Sequence, residues 1–558
     1  MPDTDKLFLI AVGGTGMRCL ESFVHLCAAG LFDNKTIEIL TLDTDQSNGN
    51  KGKVETLINL YNKVKTNDEN SEGGEARNNT FFSAKLNLYR FFTDYSKTDR
   101  RTLAQLSRKT AGSRTQNEEN SDLMDLFFDR DTVQEFQLDH GYRAQTHLGS
   151  MLMYHGIVEA ARKAKKGGND MAPQDQELKK FLELLNRHSA NARVFVFGSV
   201  FGGTGASSIP ILPTALGEGV KILVGKNEIN FNKVKFASTL LTDYFTFGTP
   251  TQQQLDDEKV IADSANFALN SQAALKFYNS DPTVKDTYKV LYHIGWPTSN
   301  KADYTSPGKV TTGGADQKNA SHLAELMCAA AAYDFFNLPK EELNEKKLKY
   351  VYRTVELTDN DTIRFTGSSF VGSKDGELFE NKLGALLSLA FTILSTYRGS
   401  EDGIVGTDAL IANLSKQDVT DYDELTEEQA REIDEYMKEF AYKVQTDDFV
   451  PGWIYQIKKS VQNGSFLFRS EAFPENIKEV KKVDPGNIFM DDNHNWVPEG
   501  GGFRVFGSKK SPQKSFDELA KKMQTEESYP YEEQGTTLKE RFLAHIYNAI
   551  TMVQNFQL

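Results

Sequence analysis

The chain has 558 residues, which exceeds the size of one ordinary hydrophobic core, so we expect two or three domains. Hydrophobic residues make up 39% of it and charged residues 25%, as in globular proteins. Its 64 basic and 78 acidic residues give a net charge of −14, which argues against general binding to nucleic acids or anionic membranes.

Cysteine spacing and hydropathy exclude further classes. The three cysteines, Cys19, Cys27 and Cys328, form no CxxC pair, so neither a zinc site nor a disulfide framework is indicated. The first residues lack the basic segment of a signal peptide, and the longest apolar run, 383–394, is too short to cross a bilayer. We therefore expect a cytoplasmic protein without membrane insertion.

The amino-terminal residues predict an α/β fold. Residues 6–12 form an apolar run typical of a buried strand, and the run ends at the glycine-rich stretch Gly13–Gly16. A helical pattern follows, and residues 36–45 predict a second strand with acidic residues at its carboxyl end. Strand, helix and strand at this spacing indicate a right-handed parallel crossover.

The next stretch, about 46–130, is polar and rich in Asn, Lys and Glu. It predicts an insertion with one or two helices, either a solvated and functionally silent segment or a lid. Beyond it the alternation of strands and helices resumes. We predict strands at 133–138, 194–197, 234–242 and 289–297, and helices at 148–165, 174–188, 252–278 and 319–336.

A change of pattern near Leu338 predicts a domain boundary. Residues 1–315 then form the first domain, 316–338 a central helix, and 339–558 an α+β domain that ends in a helix at 537–556.

A second glycine-rich stretch, Gly202–Gly205, follows the predicted strand 194–197. Glycine lets backbone N–H groups approach phosphate oxygens, and a helix N-terminus behind the loop adds favourable partial charge. Either loop alone also fits a tight strand–helix turn, but two of them predict phosphate binding without a Walker A lysine. The ligand is expected at Gly13, Gly14, Thr15, Gly16, Met17, Gly202, Gly203, Thr204, Gly205, Ala206 and Ser207.

One alternative is an enzyme that uses an NAD-type dinucleotide. Gly14 and Gly16 supply two glycines of a GxGxxG fingerprint, and Asp43 ends the second strand, where such enzymes bind ribose. Cys19 stands at the third glycine, however, and this alternative does not explain the second loop.

The order of these motifs resembles the tubulin/FtsZ superfamily. The stretch VFGGTGASSIP resembles the glycine-rich signature of that superfamily, and other stretches resemble its remaining loops in the same order over about 330 residues. They are LIAVGGTGMRCL, LTLDTDQ, GYRAQTHLG, LLTDYFTFG and DTYKVLYHIGWPTSN.

The resemblance implies a tubulin-like GTPase domain, a long central helix and a C-terminal α+β domain. It further implies GTP or GDP with Mg²⁺, and head-to-tail self-association into filaments with hydrolysis completed between subunits. The C-terminal domain is a candidate surface for a further protein partner. A scaffold that binds nucleotide without hydrolysing it remains a second alternative.

The resemblance also assigns roles to side chains outside the two glycine loops. Arg143 and Gln145 are expected near the γ-phosphate, and Asn300 and Asn319 near the guanine base. A surface arginine and a helix N-cap are the plain alternatives for Arg143 and Asn319. His322 and Glu325 are interpreted as a local helix pair rather than a metal site.

Carboxylates are the remaining candidates. Asp43 and Asp45 are expected to reach Mg²⁺ through water, or else simply to end a strand in solvent. Catalytic carboxylates are sought at Glu341, Glu342 and Glu345, where a solvated acidic turn is the alternative.

The sequence departs from the family pattern at several positions. Phe201 and Ser207 replace glycines of the signature, Met17 replaces an asparagine, and the fifth loop lacks the acid and arginine of the family. We expect the Phe201 side chain to narrow the approach to the phosphate loop.

Overall fold

The computed structural model describes most of the chain, in several stretches. These are residues 5–66, 74–95, 101–110, 122–134, 137–138, 142, 145–168, 171–225, 231–253, 262–304, 314–315, 317–345, 347–394, 427–445, 448–461, 466–468, 472–474, 476 and 538–554. No helix within these stretches is long and apolar enough to span a membrane.

The strands are numbered in chain order. They are β1 (Lys6–Val12), β2 (Thr36–Asp43), β3 (Lys85–Phe92), β4 (Ala192–Phe197), β5 (Lys235–Leu241), β6 (Phe245–Thr246), β7 (Tyr288–Ile294), β8 (Ala302–Asp303), β9 (Lys349–Arg353), β10 (Glu356–Leu357), β11 (Ile363–Arg364), β12 (Tyr442–Gln445) and β13 (Asp448–Pro451).

The α-helices are numbered in the same way. They are α1 (Gly13–Ala28), α2 (Gly49–Lys65), α3 (Leu103–Thr110), α4 (Thr146–Lys166), α5 (Pro173–Arg187), α6 (Thr204–Val224), α7 (Phe267–Ser280), α8 (Pro282–Thr287), α9 (Leu323–Asn337), α10 (Lys340–Leu343), α11 (Gly367–Val371), α12 (Gly376–Leu394), α13 (Glu427–Phe440), α14 (Trp453–Ser460) and α15 (Leu538–Gln554).

Seven strands form one parallel sheet in the order β3-β2-β1-β4-β5-β7-β9, flanked by helices, which is a Rossmann-like α/β arrangement. All seven strands therefore end at one edge, which we call the carboxyl edge, and begin at the opposite amino edge. In open parallel sheets ligands bind at the carboxyl edge. The other strands form two-stranded pairs, β6 with β8, β10 with β11, and β12 with β13.

Strand β1 shows why the sheet is buried on both faces. Alternate side chains of a strand point to opposite faces, and in β1 one set joins each of two hydrophobic cores. Leu7 and Leu9 lie in the larger core, whereas Phe8 and Ile10 lie in the other. Such a strand is an almost continuous apolar run, which is how the sequence predicted it.

The prediction that 46–130 is an insertion is wrong, because this stretch contains a strand of the main sheet. Helix α2 connects β2 to that strand, β3. Strand β3 pairs in parallel with β2 from Lys85 to Phe92. Its side chains are mostly half-buried because it is an edge strand, so its sequence alternates in polarity. The polar stretches on either side disguised a strand of this kind as part of a loop.

The predicted boundary near Leu338 is also wrong within the described residues. Strand β9 lies beyond it and pairs with β7 in the main sheet. Apolar residues of α12 to α15 share one hydrophobic core with α1 and α9. The buried Lys382 ammonium of α12 donates a hydrogen bond of 2.8 Å to the carbonyl of Gly30, just after α1. The C-terminal helices therefore cover the first half of the chain and do not form a separate core.

The central helix α9 begins at Leu323, four residues later than predicted. His322 is its N-cap and forms a capping box with Glu325. The helix runs back across the sheet to the amino edge. There Arg193, at the start of β4, donates hydrogen bonds of 3.0, 3.3 and 2.7 Å to the carbonyls of Phe335, Phe336 and Leu338.

Two smaller predictions also differ from the structure. Arg130–Gln134 forms a π-helical turn where a strand at 133–138 was predicted. Within the predicted helix 252–278, residues 252–253 are helical, residues 254–261 lie outside the described residues, and α7 begins at Phe267 after the 3-10 turn Ser264–Asn266.

Candidate functional site

Three helices begin at the carboxyl edge without a side chain that caps them. Helices α1, α6 and α4 follow Val12, Gly203 and Gln145, and none of these side chains accepts a hydrogen bond from the first turn. None of the three first turns contains an acidic residue. The first four N–H groups of a helix have no partner inside it and carry partial positive charge. Each of these N-termini is therefore suited to an anion.

The N-terminus of α6 is in contact with the N-termini of both α1 and α4. A methyl group on Gly13 would lie 3.0 Å from Cβ of Thr204, so the first loop touches the start of α6. A methyl group on Gly149 of α4 would lie 2.5 Å from the hydroxyl of Ser207, and the Ser150 hydroxyl donates a hydrogen bond of 2.7 Å to the Ser207 carbonyl. Three partial positive charges thus converge on one surface.

The glycines of the two loops have different roles. A methyl group on Gly16 would lie 2.6 Å from the carbonyl oxygen of Phe197, and one on Gly205 would lie 2.7 Å from that of Ser199. These two glycines let the helices pack against the strand ends. Gly14, Gly202 and Gly203 are half-buried and remain accessible to a ligand.

Three side-chain amides lie beside Gly14. A methyl group on Gly14 would lie 3.2 Å from both Asn48 Nδ2 and Gln317 Oε1, and 3.5 Å from Asn50 Nδ2. Asn48 donates a hydrogen bond of 2.8 Å to Gln317. This cluster of two asparagines from the start of α2 and one glutamine was not predicted, because amide residues in a polar stretch carry no sequence signal.

The residues around Gln317 form a covering segment over the start of α2, made of the described residues Gly314, Ala315, Gln317 and Lys318. Gly314 accepts a hydrogen bond of 3.0 Å from the N–H of Gly49. A methyl group on Gly49 would lie 2.5 Å from the carbonyl oxygen of Ala315. This close backbone contact requires a glycine and holds the segment next to the first loop.

Asp45 anchors the covering segment, which differs from its predicted role at a metal. One carboxylate oxygen accepts hydrogen bonds from the N–H and hydroxyl of Ser47, and the other accepts one of 2.6 Å from the N–H of Gly314. Both oxygens are thereby engaged. No group of three potential metal ligands occurs among the described residues.

Asp43 is 2% exposed at the end of β2, beside the first loop. One of its oxygens accepts hydrogen bonds from the N–H groups of Thr44 and Asp45, and the other has no partner among the described residues. Burial and the nearby Asp45 charge raise the pKa of this carboxyl to about 7, against the opposing influence of Lys51. Partial protonation near neutral pH reduces the negative charge that a phosphate would meet here.

A buried ion pair joins the first loop to the central helix. The Arg18 guanidinium, one turn beyond the loop, lies 2.5 Å from the Glu325 carboxylate, and both side chains are almost completely buried. The Tyr244 hydroxyl donates a hydrogen bond of 2.6 Å to the same carboxylate. Burial raises the pKa of Glu325, and the Arg18 charge opposes that shift. A charged residue within an apolar helix was the available sequence signal for this pair.

The predicted obstruction by Phe201 is absent from the described part of the site. Its ring is 2% exposed and packs against Tyr244, Phe245 and Phe267 at centroid distances of 6.1, 5.5 and 4.8 Å. The side chain points into the core because the loop backbone turns there.

Three other predicted contacts are limited to the backbone. The side chains of Met17, Ala206 and Ser207 are buried, and the Ser207 hydroxyl donates to the carbonyl of Thr204. These side chains are therefore parts of the helix packing, and the Ser207 N–H already donates a hydrogen bond of 3.1 Å to the Gly203 carbonyl.

The other predicted contacts fall in different places. Gln145 directly precedes α4 and is half-buried, whereas Arg143 lies outside the described residues. Asn300 is buried, and its carbonyl accepts a hydrogen bond of 2.9 Å from the Trp296 indole. Asn319 is half-buried and is not the N-cap of α9, since that position belongs to His322.

The predicted catalytic carboxylates lie at the opposite edge of the sheet. Glu341, Glu342 and Glu345 are exposed around α10, and Glu342 pairs with Lys349 at the start of β9. The Glu345 carbonyl accepts a hydrogen bond of 3.4 Å from Lys289 at the start of β7. Helix α9 is about 22 Å long at 1.5 Å per residue and spans the sheet between the two edges. These carboxylates cannot reach the glycine loops of their own chain.

Comparison of the chain with protein-family models, with curated proteins and with solved structures finds no match.

Proposed function

We propose that the chain is a tubulin-like GTP-binding protein that self-associates head to tail, with GTP hydrolysis completed where two subunits meet. One observation carries this proposal. Three uncapped helix N-termini, two of them behind glycine loops, are joined at the carboxyl edge of a parallel sheet. A polyphosphate chain has the length and charge to interact with all three.

The order of the motifs supports guanine nucleotide as the ligand, since it is similar to that of the tubulin/FtsZ superfamily. For Mg²⁺, the end of β2 beside the first loop offers a carboxylate oxygen of Asp43 that has no partner among the described residues. That fits a metal held mainly by phosphates and water. When bound, Mg²⁺ would neutralise phosphate charge.

The position of the acidic residues supports hydrolysis between subunits. Carboxylates at the amino edge can meet a nucleotide at the carboxyl edge only if the two belong to different copies of the chain. A head-to-tail contact of this kind does not close on itself and generates a filament. In that contact a carboxylate of Glu341, Glu342 or Glu345 would orient the attacking water.

A scaffold that binds GTP without hydrolysing it is the second candidate. The ion pair of 3.1 Å between Glu342 and Lys349 favours it, because that pair engages one of the carboxylates. A dinucleotide enzyme is less well supported. Asp43 is buried, and one of its oxygens already accepts two backbone hydrogen bonds, so it is poorly placed for a ribose.

The test is to purify the chain, identify any nucleotide that accompanies it, and measure light scattering and phosphate release with GTP, ATP and NAD. We expect GTP to bind, to increase scattering and to release phosphate only under assembling conditions. Binding and assembly without phosphate release would select the scaffold. Binding of NAD without GTP would refute the proposal.

A further inference from the structure

The start of α2 holds a second asparagine, Asn50, whose side chain faces the first glycine loop. Asn50 is 4% exposed, and its side-chain amide makes no hydrogen bond to any described residue. Its neighbour Asn48 caps α2 and donates a hydrogen bond to Gln317, so both atoms of that amide have partners. A side-chain amide that its neighbours do not engage can donate a hydrogen bond to a ligand.

The Asn50 amide faces the phosphate loop. Its nitrogen lies 3.5 Å from the position that a side chain of Gly14 would occupy. Gly14 belongs to the uncapped first turn of α1, so the amide lies beside N–H groups that also lack a partner inside the helix. The covering segment holds Gln317 on the same side, at the distance given above. The result is a neutral wall of amides next to an anion site, in which Asn50 presents a donor nitrogen and Gln317 an acceptor oxygen.

We infer that Asn50 is a ligand-positioning residue, which donates a hydrogen bond from its side-chain amide to a phosphate oxygen bound on the first glycine loop. The inference rests on the proposed phosphate-binding function and names a residue that the glycine motifs do not include. A neutral amide suits this place because Asp43 and Asp45 lie nearby. A cation at residue 50 would pair with these acids rather than with the phosphate.

The experiment compares Asn50→Asp with Asn59→Asp in the full-length protein. Both changes replace an amide with a carboxylate on α2, but Asn59 is exposed nine residues further along the helix, about 13 Å away at 1.5 Å per residue. The probes are GTP and inorganic triphosphate at fixed Mg²⁺. The readouts are the dissociation constant and the melting temperature without ligand.

We expect Asn50→Asp to weaken binding of both probes about tenfold or more, because a donor to a charged oxygen becomes a like charge. Asn59→Asp should leave both affinities unchanged. The ligand-free melting temperature of Asn50→Asp measures how far the new carboxylate, close to Asp43 and Asp45, destabilises the fold, and the affinities are compared at a temperature where both variants are folded. Asn50→Ala, which adds no charge, should weaken binding about threefold to tenfold.

The outcomes separate this inference from the proposed function. A wild-type protein that binds triphosphate but not GTP would refute the guanine-nucleotide proposal, while the Asn50 effect on triphosphate would still support the inference. Equal affinities of the Asn50 and Asn59 variants would overturn the inference, even if GTP binds well. A wild-type protein that binds neither probe overturns both.

Discussion

The helix ends at the amino edge and at the carboxyl edge of the sheet differ in whether side chains satisfy their backbone groups. At the amino edge, Arg193 donates hydrogen bonds to three terminal carbonyls of α9 and pairs with Asp5 at 2.6 Å. At the carboxyl edge, the N-termini of α1, α4 and α6 have no side-chain cap. The exceptions there are α2, which Asn48 caps, and α9, which His322 and Glu325 cap.

Helices α2 and α9 show that the chain can cap a helix at the carboxyl edge. Buried backbone groups are normally satisfied, because each unpaired one costs free energy. The uncapped ends of α1, α4 and α6 lie together with an Asp43 oxygen and the Asn50 amide, for which the described residues supply no partner, and a ligand bound there would satisfy them. The amino edge provides a stable frame and the carboxyl edge provides the binding surface.

The largest expected effect on stability concerns the buried ion pair between Arg18 and Glu325 near the carboxyl edge. Arg18→Met leaves the Glu325 carboxylate buried without its cation, and removing one partner of such a pair typically costs about 3–5 kcal/mol. We expect the free energy of unfolding in urea to fall by that amount. Lys221→Met, which removes a half-exposed pair with Glu218, is the control and should change it by less than about 0.5 kcal/mol. Similar losses in both variants would contradict a special role for the buried pair.

The next largest effect concerns the Asp43 carboxyl, one oxygen of which has no partner among the described residues. The pKa of Asp43 is raised to about 7 in the folded protein, so the carboxyl stabilises the fold only while it is protonated. Its contribution is complete below pH 4 and is lost as the pH rises to 7, at about 1.4 kcal/mol per pH unit at most. Asn cannot ionise, so Asp43→Asn should increase stability by roughly 2–4 kcal/mol above pH 7 and leave it unchanged below pH 4.

Urea unfolding of wild type and Asp43→Asn from pH 4 to pH 8, without divalent cations, measures this difference. The charged and titratable groups around the carboxyl are Asp45, Lys51 and Tyr142. A stability difference that does not vary with pH would show that the Asp43 carboxyl does not titrate in this range.

A smaller effect is expected from a change of charge at the second glycine loop. Gly203 directly precedes α6 and already has an α-helical backbone conformation. Asp and Asn both adopt that conformation and have almost the same shape, so Gly203→Asp and Gly203→Asn should have similar melting temperatures. Only the aspartate places a negative charge beside the phosphates, so it should weaken GTP binding about tenfold, or ~1.4 kcal/mol, relative to asparagine. Equal affinities of the two variants, measured by calorimetry, would argue against phosphate at this loop.

The smallest effect on stability is expected at the amino edge. Glu342→Gln removes a largely exposed pair with Lys349, which should change the free energy of unfolding by less than about 0.5 kcal/mol. If the carboxylate acts on a neighbouring subunit, phosphate release by the assembled protein should nevertheless slow, with GTP affinity unchanged. Unaltered phosphate release would leave Glu341 and Glu345 as the remaining candidates.

The sequence predicted the main elements of the α/β sheet but misjudged its extent. Strands β1, β2, β4, β5 and β7 were recognisable because strands buried on both faces are apolar throughout. Strand β3 is the outermost strand on one side of the sheet. It is half-buried and alternates in polarity, so it was assigned to an insertion. Strand β9 is the outermost strand on the other side of the sheet. It carries the exposed Tyr350 and Tyr352 and was placed in a separate domain.

In the candidate site, too, local features could be predicted from the sequence and contacts between distant residues could not. Glycine stretches after apolar runs are local patterns, and they predicted both loops. The amide cluster around Gly14 combines α2 with residues more than 260 positions later, such as Gln317, which bonds Asn48. Such a pairing depends on how the chain returns to the sheet, and no local pattern encodes it.

The sequence by itself determined the α/β class and the positions of both glycine loops, because these depend on residue types at short spacing. Only the tertiary structure decided that the three helix N-termini touch, that Asp45 anchors a covering segment and that Asn50 has no partner among the described residues. Contacts of that kind join residues far apart in the chain, and their energies depend on burial and distance rather than on residue type. That is why the phosphate loops could be located from the sequence, whereas the side chains around them could not.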